Sequence, residues 1–484
     1  MAAQETKKGY GQKIASRAED FAAWYNDVVQ GAQMADYSPV RGAMVIRPYG
    51  YALWENMQRL LDARFKATGV ENAYFPLFIP ESLLNKEAEH VEGFNPEVAW
   101  VTHGGDEKLE ERLAVRPTSE AIMMHMYSQW VQSWRDLPML LNQWNNVVRW
   151  ELRTRLFLRT LEFLWQEGHT VHATAEEATE RTLTMLEVYR NFIEEDLAIP
   201  LIAGRKTESE RFPGAAETYT VEALMGDGRA LQSATSHDFN DHFTRAFDIT
   251  FLDRDGERRH AYSTSWGLST RTIGGIIMVH GDEGGLVLPP KVAPVQVVVV
   301  PIWRKEGELE TVRAYVELVR AALGEGVRVR VDFSEDKTPG WKFNEWELKG
   351  VPLRVEVGPR DAASNSVVLV RRDTRQKEPV ALDALGSRVT ELLGEMQRSL
   401  YERAVRYQKE NTHEAGSVAE MNEVLERGRG FILAGWCGSA ECEATVKERT
   451  KATIRVIPFE DTGHAPCVVC GEGSGQRVYF ARAY

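Results

Sequence analysis

Cysteine is scarce, with four in 484 residues, all after residue 436. Placed so, they do not make the dispersed disulfide framework of a secreted chain and belong to one local feature. Long apolar runs are missing too: no stretch approaches the ~20 uncharged apolar residues that a helical membrane span needs. The opening MAAQETKKGYGQK has no apolar core of the kind a secretory signal requires, so the expected compartment is the cytoplasm, with no membrane partner. Positive charge is not in excess either. Against 71 Asp and Glu stand 58 Lys and Arg, a net −13, which excludes a uniformly basic protein that coats nucleic acid. There is no repeat of solenoid or propeller period and no low-complexity tract. What remains is ordinary globular usage, 43 % hydrophobic and 27 % charged, in a chain long enough for two to four domains.

Pro/Gly punctuation divides the chain. Paired glycines and prolines between Gly284 and Lys291 precede a nearly continuous apolar run, Val292 to Ile302, which reads as a fully buried strand. Helical spacing over Leu309 to Leu323 and strand-like segments at Val327–Phe333, Val351–Val357 and Val367–Val370 predict a β-α-β-α-β-β domain. A helix over Val389 to Gln408 ends in the polar segment that starts at Lys409. The expected division is therefore a first domain over 1–285, a linker over 286–294, an α/β domain over 295–405 and a small α/β domain over 406–484 that holds every cysteine. In the first domain, Phe21, Trp24, Tyr25, Val28 and Val29 lie at helical spacing, and Tyr51 to Ala67 predicts a second helix closed by Gly69. The two prolines of Tyr74–Pro80 confine that segment to an edge or a strand end. Val147–Leu152 and Phe163–Gly168 predict a hairpin joined by an arginine-rich loop. The fold class expected for residues 1–285 is α+β, a large antiparallel sheet flanked by helices.

That hairpin carries the chemistry. Phe163, Trp165, Glu167 and His169 alternate to one face, and Arg149 and Glu151 share a face of the other strand. A solvated sheet face with scattered ion pairs would account for the charges, but not for the interleaved large aromatics.

The sequence of the hairpin, NQWNNVVRWE over 142–151 and FLRTLEFLWQEGH over 157–169, resembles motif 2 of the class II aminoacyl-tRNA synthetases, and specifically that of the prolyl-tRNA synthetases of archaeal/eukaryotic type. GAMVIRPYGYALWE (42–55) with YFPLFIP (74–80) is similar to motif 1, and SWGLSTRTIGG (265–275) with His280, Gly281 and Asp282 to motif 3. The resemblance runs from about Asp20 to Tyr484. Leu156 and Leu161 depart from it, where a proline and a small or polar residue are expected.

The implied activity is activation of proline with ATP to prolyl-adenylate and pyrophosphate, then transfer to the 3′-terminal adenosine of proline tRNA. A carboxylate nucleophile is already ionised at neutral pH, so the chemistry asks for positioning of two anions and stabilisation of charge on phosphorus. Arginine suits that work, since its planar fork binds phosphate and carboxylate at two points. The resemblance assigns Arg149 to the bridge between carboxylate and α-phosphate, Arg271 with Arg159 to the γ-phosphate, Phe163 to stacking on adenine and Glu151 to the adenine amine. Gln232, Thr235 and Ser269 match ATP-contacting positions, and Mg²⁺ is expected with the phosphates, with Glu222 a candidate ligand. For proline, the RPTSE segment at 116–120 places Thr118 and Glu120 on the ammonium, although a Ser or Thr before a Glu is also a common helix start. Trp165, Glu167, His169, His237 and Trp266 match the remaining pocket positions, with Phe163 at the border.

Only 97 residues separate His169 from Gly267, which leaves no room for the editing domain that bacterial-type relatives insert there. Residues 328–377 hold 11 Lys and Arg against 8 Asp and Glu. Within them, periodicity alone predicts core packing for Trp341 and Trp346, while the resemblance assigns Phe343, Glu347, Arg354 and Arg360 to anticodon reading. Cys437 with Cys442 and Cys467 with Cys470 form two close pairs that suit a structural Zn²⁺, two disulfides being the alternative that a cytoplasmic setting disfavours. The resemblance further implies a homodimer through motif 1 and a role for the terminal Tyr484 at the active site.

Overall fold

The computed structural model describes residues 14–90, 98–151, 153–473 and 475–484. The opening thirteen residues and Leu152 lie outside the described residues.

The first unit is built on one sheet, with strands in the order Glu71–Asn72, Met139–Val148, Glu162–His172, Tyr262–Ser269, Ala230–Asn240, Glu217–Leu224 and Ile202–Arg205. Every neighbouring pair is antiparallel except the first. Helices Pro48–Ala67, Ala175–Asn191 and Arg271–His280 bury Trp54, Phe65, Tyr189 and Ile276 in one core against a face of this sheet. The helix expected over Tyr51–Ala67 starts three residues earlier because Pro48 supplies a preset φ at a position that needs no N–H bond. Gly69, at φ 84°, ends it as expected. Of Tyr74–Pro80, the strand Phe78–Pro80 is an edge that pairs with Glu107–Val115, in keeping with its prolines. The helix that opens at Glu120 runs to Trp130, and residues 134–136 form a separate short turn. The motif 2 hairpin is present in register from Met139↔Val171 to Val148↔Glu162. Its first strand ends at Val148, so Arg149 and Glu151 lie just beyond the ladder and not on a strand face as expected.

The second unit is a five-stranded sheet in the order Val329–Val331, Val297–Pro301, Leu353–Val357, Ser366–Arg371 and Lys377–Ala381. Val297–Pro301 is buried throughout and sits between two parallel neighbours, as its unbroken apolar run predicts. Helices Glu306–Leu323 and Leu385–Glu410 cover its core. The second of these continues through position 405 and ends at the C-cap Asn411. The cysteine-bearing C-terminal segment forms a third core around Ile432, Ile454 and Phe480. Its strand Thr453–Pro458 pairs with Ile202–Arg205, so the C-terminal sheet extends the sheet of the first unit. Periodicity cannot foretell such an edge-to-edge join between segments far apart in the chain.

Candidate active site

Strand register assembles the site. Residues directly opposed in antiparallel strands point to the same side, and so do residues two apart along a strand. Glu167 opposes Gly267, which opposes Thr235, which opposes Thr220. His169, Ser265, His237 and Thr218 form the next row. Apart from Thr220, these rows floor a cavity of about 220 Å³ that Thr118, Glu120, Arg149, Phe163, Trp165, Glu210 and Phe212 wall. Gly267 lies in the middle of the floor, where a Cβ would come into ordinary contact with the Trp165 ring at 3.4 Å.

Glu167 is buried and saturated with donors. It accepts from the Ser119 hydroxyl at 2.5 Å, the Ser119 backbone N–H at 3.0 Å and Asn145 Nδ2 at 2.7 Å, and it pairs with His169 Nε2 at 3.0 Å. Burial alone would raise its pKa, yet the His169 partner and these donors hold it well below the carboxylate range. His169 is shifted upward: burial opposes its charge, but Glu120 and Glu167 outweigh that. Thr118 Oγ1 donates to Glu120. The two readings of the RPTSE segment are thus resolved for Ser119, which stands at the N-cap without a side-chain cap bond and gives its hydroxyl to Glu167 instead. His237, with Nδ1 3.0 Å from Thr218 Oγ1, is pushed down to about 3 by burial and by the His169 charge.

A second cavity adjoins the first and shares Arg149, Phe163, Ser269 and Arg271 with it, while Glu151 and Arg159 belong to the second. Arg149 Nε donates to the Pro117 carbonyl at 3.1 Å, and its guanidinium lies 5.6 Å and 5.3 Å from the Phe163 and Trp165 ring centres. Among the described residues no carboxylate forms an ion pair with it. Arg271 opens its helix and is pushed down to about 10 by burial and by Arg149 and Arg159. Three guanidinium groups thus crowd a space with little negative charge of its own. Glu151 is paired with Arg159. The departures Leu156 and Leu161 are both buried, and the Leu156 carbonyl accepts from Tyr25 OH at 2.8 Å, so they anchor the motif 2 loop in the core.

Two expectations are corrected. Trp266 borders the cavity, but alternation sends its indole to the opposite face, where it packs on Gly168, Phe65 and Tyr189. Glu222 is fully buried and held by Lys206 at 2.6 Å and Arg455 at 3.2 Å, so it is no metal ligand. Sequence reasoning missed Ser119, Asn145, Glu210 and Phe212, which come from four separate segments with no shared spacing.

In the second unit, Glu347 and Arg354 line a further cavity of about 210 Å³ together with Arg371, Arg372, Arg375 and Lys377, four cations that the sequence reading did not single out. Phe343 lies under the Arg354 guanidinium at 4.1 Å. Arg360, exposed on the short helix Pro359–Ser364, does not line this cavity. Trp346 packs inward and donates to Asp332 at 2.8 Å, whereas Trp341 is 38 % exposed and not a core residue. Arg372 ties the unit to the first by bonding Asp282 at 2.8 and 2.6 Å. The four cysteines converge, all unpaired, with sulfurs within 4.8 Å of one another. Tyr484 donates to Asp227 at 2.7 Å and stacks with Arg155 of the motif 2 loop.

Residues 100–280 match the family described as tRNA synthetase class II core domain (G, H, P, S and T), residues 296–392 the anticodon binding domain and residues 418–484 the prolyl-tRNA synthetase C-terminal domain. A proline–tRNA ligase of Natranaerobius thermophilus is 56 % identical over 475 residues, 98 % of each chain. One of Rubrobacter xylanophilus is 57 % identical over 473 residues, 98 % of this chain and 99 % of its own. The chain belongs to the prolyl-tRNA synthetase family. A crystal structure of a prolyl-tRNA synthetase from Cryptosporidium parvum, complexed with halofuginone and AMPPNP, superposes with a TM-score of 0.92 at 40 % identity, covering 98 % of this chain and 99 % of that one. As a member of this family the chain is a class II aminoacyl-tRNA ligase, and the floor of its cavity lies within the class II core match.

Proposed function

We propose that the two adjoining cavities hold proline and ATP, and that Arg149 stands at the junction where the amino-acid carboxylate attacks the α-phosphorus and expels pyrophosphate. The observation that carries this is the division of character across Arg149. On one side lie Glu120, Glu167 and aromatic walls, fit for a small apolar ring with an ammonium group; on the other lies Arg159, with Arg271 at the junction, fit for phosphates. Thr118, Glu120 and Glu167 receive the ammonium, with His169 and His237 completing its surroundings. Phe163 and Trp165 hold the flat faces of the ring and the adenine, and attract cations. Arg271 and Arg159 take the terminal phosphate, which would draw Arg159 off Glu151, whose carboxylate would then accept from the adenine amine. Gln232 and Thr235, on the floor of the first cavity, and Ser269, shared by both, meet the nucleotide where the two cavities join. Mg²⁺ accompanies the phosphates and keeps most of its water. The product is passed to the terminal adenosine of proline tRNA, whose anticodon meets Phe343, Glu347 and Arg354. Arg360 would meet it from the rim.

The four converging thiols suit Zn²⁺. Tetrahedral bonds of ~2.3 Å put sulfurs about 3.8 Å apart, inside the observed spread, and an all-thiolate site is structural. Elemental analysis of protein purified without chelator is expected to give about one zinc per chain, and none would refute the site. Residues 170–260, between motifs 2 and 3, build strands and helices of the class II sheet, which supports the archaeal/eukaryotic type without a separate editing domain. No helix among the described residues is long and apolar enough to cross a membrane, which is consistent with a cytoplasmic setting. The division 1–285, 295–405 and 406–484 serves activation, anticodon recognition and zinc binding.

The test is amino-acid-dependent ATP–pyrophosphate exchange with all twenty amino acids and no tRNA. Exchange driven by proline is expected. Silence with every amino acid, in folded protein that still binds ATP, would overturn the reading.

A further inference from the structure

One wall of the proline cavity is held by the C-terminal segment. Glu210 and Phe212 line the cavity, and they belong to residues 206–212, a stretch between two strands of the class II sheet that is irregular apart from the single turn Glu208–Glu210. Irregular backbone has few bonds of its own, so its position depends on neighbours. Here the neighbours come from far along the chain. Thr207 Oγ1 donates to Glu443 Oε1 at 2.6 Å across 236 residues, and both side chains are buried, at 2 % and 6 % exposure. Lys206 Nζ donates to Glu222 at 2.6 Å and to the Arg455 carbonyl at 2.8 Å. Glu210 faces Lys447 at 3.5 Å and Arg455 at 4.0 Å. Glu443 and Lys447 sit on the helix Ala440–Thr450, which also carries Cys442 of the thiol cluster. On the cavity side, the Phe212 ring lies 4.7 Å from His237 and its N–H donates to Thr218 at 3.0 Å.

We propose that Glu443 is a positioning residue for amino-acid binding. Through Thr207 it fixes the 206–212 segment, and with it the placement of Glu210 and Phe212 over the amino-acid side of the cavity. This rests on the reading of that cavity as the proline site. A buried hydrogen bond to a carboxylate is stronger than a neutral one, whereas the largely exposed Lys447 pair contributes little. The ATP side, with Arg271, Glu151 and Arg159, has no wall from this segment. Loosening the segment should therefore weaken one substrate and spare the other.

The experiment is ATP–pyrophosphate exchange on the full chain, with KM measured separately for proline and for ATP. In Thr207→Val the KM for proline is expected to rise roughly two- to thirtyfold, the span that coupling through contacting residues covers. The KM for ATP and the zinc content should stay near the wild-type values, while the unfolding temperature falls because the buried Glu443 carboxylate loses its donor. Thr207→Ser, which restores the hydroxyl, should recover most of the loss, and Glu443→Ala should add little to Thr207→Val in the double variant. Unchanged proline KM in Thr207→Val and Glu443→Ala, or an equal rise in both KM values in every variant, would overturn the proposal. Should Thr207→Val fail to fold, Glu443→Gln carries the test: it keeps the volume and weakens the acceptor, so a smaller but selective rise in the KM for proline is expected, and no change would overturn the proposal. The wild-type screen keeps the two readings apart: exchange driven by another amino acid would overturn the proline assignment, and the same variants would then be measured with that amino acid.

Discussion

At the scale of single residues, the site runs on charges whose strength is set by burial. Arg149 has its guanidinium against two aromatic rings and forms no ion pair with a carboxylate among the described residues, so it can engage anions that arrive with substrate. Its removal should fall mainly on the transition state. Donors of this kind are worth about 2.7–4 kcal/mol, so Arg149→Ala should slow prolyl-adenylate formation by about 10²–10³ with little change in unfolding temperature. Near-normal single-turnover adenylate formation would contradict the role. Acid should unfold the protein in a defined window. His172, His237 and His280 are each pushed to about 3 by burial, with Arg181, His169 and Arg403 respectively adding to the shift. The unfolded chain binds those protons near 6.5, so the stabilisation is present above about pH 6.5 and is lost as pH falls toward 3. Glu167, lowered from 4.5, adds a loss that begins below about pH 4.5. His169, raised, works the other way, its contribution being lost as pH climbs through its folded value. Thermal midpoints recorded from pH 8 to 4 should decline steadily below 6.5; a flat profile down to 4.5 would count against buried neutral histidines. The alternating Phe163, Trp165, Glu167 and His169 were legible because a strand has period two. Ser119 was not, since its partner Glu167 is a strand neighbour in space and not in sequence.

At the scale of elements, the same period explains a misplacement. Trp266 falls between Ser265 and Gly267, and the two flanking residues face the cavity, so the indole must face the helices. There it takes the space that a side chain on Gly168 would fill: a Cβ at 168 would come within 2.1 Å of the ring. Gly168→Ala therefore overpacks the middle of the sheet, at a cost of about 1–3 kcal/mol. Both the unfolding temperature and proline-dependent exchange should drop, because the strand that shifts carries Glu167 and His169. A variant as stable as wild type would refute the packing. The glycine was visible in the sequence, but its reason was not, because the ring that excludes a methyl group lies on another strand.

At the scale of the whole molecule, proline and ATP belong on the proposed reading to the first unit and the anticodon to the second. Glu347→Ala, in the cavity of the second unit, should lower aminoacylation of proline tRNA by roughly 5- to 150-fold, the worth of a recognition contact of about 1–3 kcal/mol, and leave ATP–pyrophosphate exchange unaltered. Loss of both activities would point to unfolding instead. The motif 1 region exposes Val40, Val45, Tyr51, Tyr74 and Phe78, with Tyr74 at 74 %, a concentration of large apolar side chains that supports a two-fold dimer. Light scattering should give twice the chain mass, and Val45→Asp should shift the equilibrium toward monomer; a monomeric wild type at micromolar concentration would exclude the dimer. The sequence by itself determined the hairpin, the buried Val297–Pro301 strand, the cysteine pairs and the arginines, because each is written in local period or in spacing along the chain. Only the tertiary structure decided that Trp266 turns away, that Glu222 is neutralised by Lys206 and Arg455, and that the C-terminal sheet joins the first one beside the cavity. Each of those depends on which strand lies next to which, and strand order is fixed by long-range packing that no local pattern records.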